Sequence, residues 1–290
     1  MQVIPLASSS KGNAYLVEHD GAVILIDCGL SYRELKKRLS EKLVKTGQTC
    51  FDKFSCDQIM AILITHSHTD HVQGLKTLLG KHDIPVYTNL MTAETIVAEQ
   101  GVAEDAFVCF ENGQEFEVGP FAVSAFSIPH DTSDPVGYLI RARESLAVQC
   151  KGAESLYAER PARHSQPLYA ERPARLTYFH ATDVGMPLDS IGLKLAEADI
   201  ATLESNHDPV MLKNSGRAPY LIQRIAGPRG HLANWEAAEL VKKFASPRLR
   251  KLMLAHLSQD CNTPFLAEQK MREAFEELGR DDIELEILLP

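Results

Sequence analysis

The segment that decides the fold is ILITHSHTDHVQGL, residues 62–75, in which an apolar run leads into three histidines and an aspartate. The run AILIT is short, apolar and rich in β-branched residues, which predicts a buried strand. The part after the histidines has apolar residues at helical spacing, which predicts a helix. His66, His68, Asp70 and His71 are therefore predicted on a strand-to-helix loop at the end of a sheet.

This cluster has the ligand chemistry of a metal site. Histidine is the commonest side-chain metal ligand near neutral pH, because much of it is uncharged there. His66 and His68 lie two apart and point the same way in a strand-like approach, so both can reach one ion. Asp70 and His71 fall on the turn into the helix and suit a second ion. A solvated turn is the simple alternative, but the flanking elements favour a two-metal site, a recurring device for activating water.

Length, charge and cysteine usage limit the class of protein. The 290 residues suffice for one large α/β domain or two small ones. The net charge of −9 argues against a broadly basic protein that coats nucleic acid, but does not exclude a local basic groove. No signal-peptide pattern is visible, and no apolar run approaches the roughly 18 residues of a membrane span, so we expect a cytoplasmic protein that does not bind a membrane. The six cysteines contain no C-x-x-C pair, so a zinc ribbon is not indicated.

Two series of strands, each accompanied by helices, run along the chain. The first includes QVIPLA, NAYLVEH, AVILIDCG and the strand before His66. The second includes PVGYLIRA, LTYFHATD, ADIATLES and KLMLAHLS; two helices separate its last two strands, and a helix within residues 263–279 is the last predicted element. This order predicts one α/β (α+β) domain over residues 1–290, an αββα sandwich of two mixed sheets covered by helices.

One segment interrupts this order. LYAERPAR occurs at residues 156–163 and again at 168–175, within a stretch rich in Ala, Arg and Pro. A tandem copy of this length is too short for a solenoid repeat. We interpret about 145–175 as an insertion that forms a surface loop or a short helical excursion. A basic arm that contacts nucleic acid is the alternative.

Three later polar residues follow apolar strands in the same way as the first cluster. His130 follows AFSIP, Asp183 follows YFHAT, and His256 follows LMLA. A lone histidine in such a position is more often structural. The agreement of these positions with the cluster favours one shared metal site.

The chain resembles the metallo-β-lactamase fold hydrolases, and within them the YycJ-like (WalJ-like) branch. The H-x-H-x-D-H signature at residues 66–71 indicates the superfamily. The branch is indicated by LASSSKGNAYLVE, LIDCGLS, LESNHDPVML, GHLAN and AHLSQDCNTP. The resemblance covers nearly the whole chain except about 145–175. SSSKGN is looser than the expected glycine-rich loop and Ala233 replaces an expected serine; neither departure touches a ligand, so only substrate contacts are affected.

The resemblance implies a centre with two divalent metal ions. Its implied ligands are, for the first ion, His66, His68 and His130, for the second ion, Asp70, His71 and His256, and for both, the bridging Asp183. Zn²⁺ suits imidazole and carboxylate ligands, but Mn²⁺ or Fe²⁺ can occupy the same set, so the metal identity is open. Two such ions lower the pKa of a shared water and stabilise the oxyanion formed when the resulting hydroxide attacks.

Other polar residues are candidates for supporting roles. Asp27 ends AVILIDCG and is predicted to accept a hydrogen bond from the second nitrogen of a ligand histidine, with a strand-end turn aspartate as an equal alternative. His207 and His231 could protonate a leaving group or bind a phosphate oxygen, with a structural core histidine as the rival for each. The predicted catalytic groups are Asp70, His207 and His231. The predicted substrate contacts are Ser9, Ser10, Asn13 and Asn206.

The expected function is a metal-dependent phosphodiesterase that acts on nucleic acid, and the resemblance implies a DNA nuclease or exonuclease. Hydrolysis of a thioester, lactone or lactam is a second interpretation, and a non-catalytic metal or redox module is a third. Nothing after His256 resembles a flavodoxin-like domain, which weighs against the third. A phosphodiesterase must neutralise charge and protonate a leaving group. The cations between His207 and His231 could follow a nucleic-acid backbone, although a solvated helical face explains them equally well: Lys213, Arg217, Arg224 and Arg229.

Overall fold

The computed structural model describes residues 1–46, 55–143 and 176–289, whose strands form two sheets. The first sheet contains β1 (Gln2–Ser9), β2 (Gly12–His19), β3 (Ala22–Ile26), β4 (Ile59–Leu63), β5 (Val86–Asn89) and β6 (Phe107–Phe110), in that order. The second sheet contains β7 (Glu115–Val118), β8 (Phe121–Ser127), β9 (Val136–Ala142), β10 (Thr177–Ala181), β11 (Ile200–Glu204), β12 (Lys251–Ala255) and β13 (Glu284–Ile287). Both sheets are mixed: β1 to β3 and β7 to β10 pair antiparallel, whereas β3 to β6 and β10 to β13 pair parallel.

Helices follow most of the parallel strands. Those after the first-sheet strands are α1 (Tyr32–Thr46), α2 (Thr69–Val72), α3 (Leu75–Leu79) and α4 (Leu90–Gln100). Those after the second-sheet strands are α5 (Asp189–Leu195), α6 (Pro209–Lys213), α7 (Pro219–Ile225), α8 (Asn234–Phe244) and α9 (Pro264–Leu278). Residues Cys56–Gln58 and Glu104–Ala106 form 3₁₀ turns.

Alternating apolar side chains divide the core into three layers. In β3, Ile24 and Ile26 face the second sheet, whereas Val23 and Leu25 face α1 and its neighbours. In β12 the same alternation sends Met253 between the sheets and its neighbours in the strand toward α5, α8 and α9. Because both faces of these strands are buried, their sequences read as continuous apolar runs. The predicted αββα sandwich with two mixed sheets is confirmed.

Three details differ from the sequence expectation. The helix predicted after the histidine cluster is two short helices that are separated at Gly74. The Gly74 amide donates to Cys28 O at 2.9 Å rather than to a carbonyl of its own helix. The backbone approaches so closely here that a Cβ at this position would lie 2.0 Å from the Leu30 carbonyl oxygen. Three helices, not two, lie between β11 and β12. The strand β13 follows α9 and pairs parallel with β12, although the helix was expected to be the last element.

The predicted insertion at about 145–175 falls on residues 144–175, which lie outside the described residues. The strands on either side are neighbours, since Thr177 of β10 pairs with Arg141 of β9. Among the described residues, no helix is both long enough and apolar enough to span a membrane.

Candidate metal centre

The predicted metal ligands meet at one edge of the sandwich. His66 and His68 lie on the loop after β4, and His130 follows β8. Asp183 and His256 follow β10 and β12 of the second sheet. Because these strands run in parallel directions within their sheets, their carboxyl ends deliver the loops to the same edge. Both sheets therefore contribute to one cluster.

Left-handed backbone conformations turn three loops sharply as they leave β3, β10 and β12. Asp27, Asp183 and His256 have φ values of 58°, 59° and 56°. Such values are uncommon for residues other than glycine, although Asp and His adopt them more readily than β-branched residues do. A sharp turn directly after a strand directs the next side chain across the sheet edge, and all three side chains face the cluster.

His66, His68 and His130 form the first group of candidate ligands. His68 Nδ1 lies 3.2 Å from His66 Nε2 and 3.3 Å from His130 Nε2. One nitrogen from each ring lies within 4.8 Å of the others, which suits a single shared cation. The predicted first-ion ligands are thus brought together.

Asp70, His71 and His256 form the second group. Asp70 Oδ2 lies 3.6 Å from His71 Nε2 and 3.6 Å from His256 Nε2. Asp183 lies between the groups: its Oδ2 is 3.1 Å from His71 Nε2, and its Oδ1 is 3.7 Å from His130 Nε2. A carboxylate in this position can contact both ions, as the sequence resemblance implies for Asp183.

Four of the histidines use Nδ1 for a protein partner and keep Nε2 for the cluster. His66 Nδ1 donates to Thr65 Oγ1 at 3.0 Å, and His130 Nδ1 donates to the Gly230 carbonyl at 3.0 Å. His71 Nδ1 and His256 Nδ1 donate to the carboxylates of Asp27 and Glu204, described below. Such partners fix the tautomer that presents a lone pair at Nε2. His68 has the opposite orientation, with Nδ1 toward the cluster.

Asp27 is the buried partner of His71. Its Oδ2 accepts from His71 Nδ1 at 2.7 Å, and its Oδ1 accepts from the Thr65 amide at 2.9 Å. Thr65 Oγ1 also donates to Asp27 Oδ2 at 2.9 Å, which leaves the hydroxyl oxygen free to accept from His66. The role predicted for Asp27 requires a contact of this kind, and Thr65, to which the sequence analysis gave no role, extends the contact to a second histidine.

Glu204 has the corresponding position in the second sheet, and the sequence analysis gave it no role. Its Oε1 accepts from His256 Nδ1 at 3.0 Å and from His231 Nδ1 at 2.9 Å. Its Oε2 accepts from the amides of Val184 at 2.7 Å and Leu232 at 3.2 Å. Glu204 ends β11 as Asp27 follows β3, so a carboxylate at the end of an apolar strand is the sequence signal that could have identified it.

Burial and the charges of neighbouring groups together determine the pKa values of the side chains in the cluster. Burial, followed by the charge of His71, lowers the pKa of His66 well below its usual value. At His256 burial also opposes the charged form, but Asp183 and its neighbours outweigh it and raise the pKa to about 10. At Glu204 burial is outweighed by His231, and the pKa falls to about 2. The Glu204 carboxylate is therefore ionised at neutral pH.

These residues fit divalent cations. Asp183 Oδ2 and His256 Nε2 are buried without a hydrogen-bond partner among the described residues, although both face the cluster. A buried polar atom without a partner is costly, and a bound cation would satisfy both atoms. A cation would also replace the proton that His256 otherwise carries among these carboxylates. The mixture of imidazole and carboxylate donors suits Zn²⁺, Mn²⁺ or Fe²⁺.

The two histidines predicted as proton donors lie in different surroundings. The ring centroid of His231 is 5.1 Å from that of His130 and 5.3 Å from that of His256, and its side chain is 22% exposed. The His207 ring is buried, and burial lowers its pKa to about 4. No hydrogen bond or ring contact joins His207 to the cluster within the described residues. The catalytic roles of His207 and His231 both stay predictions.

The predicted substrate contacts surround the second ligand group. Asn13 Nδ2 donates to Asp70 Oδ2 at 3.2 Å and to Ser9 O at 3.0 Å. Asn206 Nδ2 donates to the His256 carbonyl at 2.8 Å, and Ser10 is exposed beside it in a cavity of about 120 Å³. Ser9 is buried, and its Oγ accepts from the Lys11 amide at 3.2 Å. Ser10 is thus open to a ligand and the buried Asn206 lines the same cavity, whereas Ser9 and Asn13 mainly hold the loop.

Two further residues contact the centre without having been predicted. Ser8 Oγ accepts from the His256 amide at 2.8 Å and from Tyr15 at 2.8 Å, so it fixes the backbone at that ligand. Asp131 Oδ1 lies 3.4 Å from His130 Nε2, and Arg224 Nε donates to Asp131 Oδ2 at 2.6 Å. Ser8 and Arg224 thus reach the centre from separate parts of the chain, and neither contact has a local sequence signal.

Known proteins resemble this chain along nearly all of its length. The family profile described as the metallo-β-lactamase superfamily matches residues 10–144. Exodeoxyribonuclease YycJ of Bacillus anthracis is 30% identical over 277 residues, which cover 94% of this chain and 89% of that protein. The chain belongs to the metallo-β-lactamase superfamily, in its YycJ/WalJ-like branch. Exodeoxyribonuclease WalJ of Streptococcus pneumoniae serotype 2 is 27% identical and covers 92% of this chain and 85% of its own length.

Solved structures show the same metallo-β-lactamase fold. The metallo-β-lactamase fold protein YhfI from Bacillus subtilis matches with a TM-score of 0.61 and 16% identity, covering 98% of this chain and 95% of its own. Zn²⁺-bound PqqB from Methylobacterium extorquens matches with a TM-score of 0.62 and 13% identity, covering 100% and 99%. At these identities the likeness shows the fold alone. The resemblance inferred from the sequence motifs is confirmed by the family profile and by the sequence relatives.

Proposed function

We propose that the protein is a metal-dependent exodeoxyribonuclease. The observation that supports this most strongly is the cluster of histidine and carboxylate side chains in a chain that matches two exodeoxyribonucleases over most of its length. Hydrolysis of small thioesters, lactones or lactams is not favoured by these relatives. A non-catalytic metal module is not favoured either, since the relatives that match most of the chain are named as nucleases.

In this proposal the two ligand groups hold two divalent ions. His66, His68 and His130 would hold the first ion and Asp70, His71 and His256 the second, and Asp183, which lies between the two groups, would be a further ligand. Bound there, the ions supply Lewis acidity, which makes water nucleophilic at neutral pH and neutralises the charge of a phosphodiester. Asp27 and Glu204 keep the ligand histidines in the tautomer that this binding needs.

His231 is the proposed proton donor to the leaving oxygen. Its Nδ1 is held by Glu204, so Nε2 lies on the opposite side of the ring and is free to act. Burial lowers the pKa of His231, but the charge and hydrogen bond of Glu204 outweigh burial and raise it, which favours the protonated form that a proton donor needs. His207 is also proposed as a contributor, but its buried ring gives it weaker structural support than His231. Asp70 is proposed as both a ligand and a catalytic group.

Phosphate recognition is assigned to the cavity beside the second ligand group. Ser10, Asn206, Arg217 and Ser258 line this cavity of about 120 Å³ together with His231. Hydroxyl, amide and guanidinium groups donate hydrogen bonds, which a phosphate accepts. The cavity is small, so the bases of a strand would extend beyond it.

The test is a comparison of substrates with purified protein supplied with Zn²⁺ or Mn²⁺. We expect stepwise removal of nucleotides from an end of labelled DNA, abolished by a chelator and restored by the metal. Labels at the 5′ and 3′ ends, in separate substrates, report the direction of removal. Efficient turnover of a chromogenic lactam or a thioester, with no cleavage of DNA under either metal, would overturn the proposal.

A further inference from the structure

Four exposed cations lie on the helices that cover the first sheet. Arg33, Lys36 and Lys37 belong to the first two turns of α1, and Lys81 follows α3. All four side chains are exposed, whereas Leu35 of the same helix is buried in the core of the first sheet. These four residues are named the basic face below. The chain as a whole has a net charge of −9, so the basic face stands out from an acidic molecule.

The ring of Tyr32 brings two of these cations together. Lys36 Nζ lies 5.7 Å and Lys81 Nζ 5.5 Å from the centroid of the Tyr32 ring, where an aromatic face attracts an ammonium group. Tyr32 OH is 3.0 Å from His82 Nε2, and His82 Nδ1 is 2.7 Å from Asp57 Oδ1, so hydrogen bonds hold the ring in place. Lys36 and Lys81 are therefore spatial neighbours, although they are distant in sequence.

The charges of the basic face are largely without partners. Three of its four members form no ion pair with any described residue, and the fourth, Lys37, lies 4.0 Å from Glu41. The neighbouring Glu34 is already paired, because Arg38 Nε donates to it at 2.8 Å. Asp83 is exposed nearby and has no ion pair within the described part of the chain, but one carboxylate leaves positive charge in excess. The basic face can therefore attract a polyanion.

The basic face begins beside the metal centre, because the loop that leads into α1 is held against the histidine loop. Cys28 N donates to His71 O at 2.7 Å, and a Cβ at Gly29 would lie 1.6 Å from the Asp70 carbonyl oxygen. The helix α1 starts only three residues later, at Tyr32, so its first turn lies close to the backbone of two proposed ligands. Because α1 leads from β3 to the parallel β4, it runs back from this edge, and the basic face extends away from the centre with it.

We propose that the basic face binds the phosphodiester backbone of the DNA substrate, beyond the end that occupies the metal centre. This inference rests on the proposed nuclease function and adds a second region of contact with the substrate. A nuclease that removes successive nucleotides must hold DNA whatever its sequence, and contacts between cations and phosphates provide binding of that kind. A solvated helical surface without a ligand is the alternative.

The experiment measures the salt dependence of DNA binding. Metal-loaded protein is titrated, over a range of salt concentrations, into fluorescently labelled DNA whose phosphorothioate linkages resist cleavage. The basic-face variant combines Arg33→Gln, Lys36→Gln and Lys81→Gln. Each lost phosphate contact lowers the slope of log K against log salt by about one, so we expect the slope of this variant to fall by about three. Arg33→Gln alone, which removes no contact with Tyr32, should lower it by about one.

Matched variants separate local contacts from a change in net charge. Lys36→Arg with Lys81→Arg keeps both charges and should retain the slope of the wild type. The control variant combines Lys243→Gln, Lys270→Gln and Arg272→Gln in α8 and α9, which cover the second sheet on the opposite side of the sandwich. It has the same net charge as the basic-face variant, but its slope should stay near that of the wild type. An unchanged slope in the basic-face variant, or an equal loss in the control variant, would overturn the inference.

A parallel measurement keeps the inference distinct from the proposed function. Cleavage of unmodified DNA by the wild type tests the nuclease activity itself, whatever the basic face does. Cleavage by the wild type, together with an unchanged slope in the basic-face variant, would overturn this inference alone. A loss of slope in that variant, without any cleavage by the wild type, would support DNA binding by the basic face and contradict the nuclease.

Discussion

Glu204 holds two histidines of the metal centre and two backbone amides at once. Replacing it with glutamine keeps the shape but removes the charge that stabilises the Nδ1–H tautomers of His231 and His256. Partners of this kind support ligand geometry, so we expect Glu204→Gln to weaken metal binding by about 10- to 100-fold. Titration of metal-free protein with Zn²⁺ measures this.

The control is Glu236→Gln in α8. Glu236 accepts from the Ala233 amide at 2.9 Å, as a helix-capping residue, and glutamine supports the same bond. Equal losses of metal affinity in both variants would show that Glu204 stabilises the fold generally rather than the ligands.

His231 and His207 should separate in activity. His231 Nδ1 is held by Glu204, and its Nε2 has no hydrogen-bond partner among the described residues, so His231→Ala should lower the rate of DNA cleavage by about 10²- to 10⁴-fold at unchanged metal content, the usual range for a proton donor. Within the described part of the chain, the buried His207 ring forms no hydrogen bond or ring contact with the cluster, so His207→Ala should lower the melting temperature and change the rate of DNA cleavage little. The reverse pattern, with His207→Ala inactive and His231→Ala active, would transfer the proton-donor role to His207.

At the residue scale, site residues that follow a local sequence pattern were predicted, whereas contacts between residues that are distant in sequence were not. Five residues each follow an apolar strand, and this pattern led to the prediction that they share one metal site: His66, His68, His130, Asp183 and His256. Ser8 and Asp131 have no such signal, because Ser8 contacts a distant loop and only the fold determines how Asp131 is oriented toward Arg224. Glu204 does have the signal, and it was overlooked beside its polar neighbours.

At the scale of elements, the loop after β3 must pack closely against the histidine loop. A Cβ at Gly29 would lie 1.6 Å from the Asp70 carbonyl oxygen, and that oxygen belongs to backbone that cannot move aside easily. Gly29→Ala should therefore cost on the order of 3 kcal/mol of unfolding free energy, as overpacking does, and should reduce bound metal. Chemical denaturation and metal analysis measure the two effects.

Gly80→Ala is the matched control for this change. Gly80 has a φ of −67°, and a Cβ there would meet nothing closer than 3.4 Å. Its stability and metal content should stay near those of the wild type. If Gly29→Ala is equally stable, the close packing of the two loops does not govern the metal centre.

The insertion with the repeated LYAERPAR can be tested by deletion of residues 156–175. Its ends join β9 and β10, which remain paired through Arg141 and Thr177, and Ala142 N donates to Leu176 O at 3.0 Å. A short turn in its place should therefore leave the metal content and melting temperature unchanged. Loss of metal would show that the segment is structural. Weaker DNA binding with a smaller salt dependence, at normal metal content, would support the basic-arm alternative.

Elements were predictable where one pattern repeats over many residues. The regular apolar spacing of α9 and the continuous apolar runs of β3, β4 and β12 were all identified from sequence. The break between α2 and α3 was not, because it depends on how closely Gly74 approaches the Leu30 carbonyl. The strand β13 is short and half-buried, and its identity comes from pairing with β12 rather than from its own pattern.

At the scale of the whole molecule, the two sheets contribute similar parts to one centre. The first sheet supplies the histidine loop with its support at Asp27, and the second supplies Asp183 and His256 with their support at Glu204. Each ligand group combines residues from both sheets, because His130 follows β8 and His256 follows β12 while the other members follow β4, so the centre forms only when the sandwich is complete. The αββα order was visible in the sequence because both halves repeat strands and helices in the same manner.

The most direct test of this account is a metal titration of metal-free protein with end-labelled DNA as the substrate. Bound Zn²⁺ or Mn²⁺ and the rate of nucleotide removal are measured in the same samples. A two-ion centre predicts that activity rises with added metal and reaches its plateau at two equivalents per chain, and that Asp183→Asn neither fills both sites nor cleaves DNA. Full cleavage by metal-free protein, or by Asp183→Asn, would contradict the account.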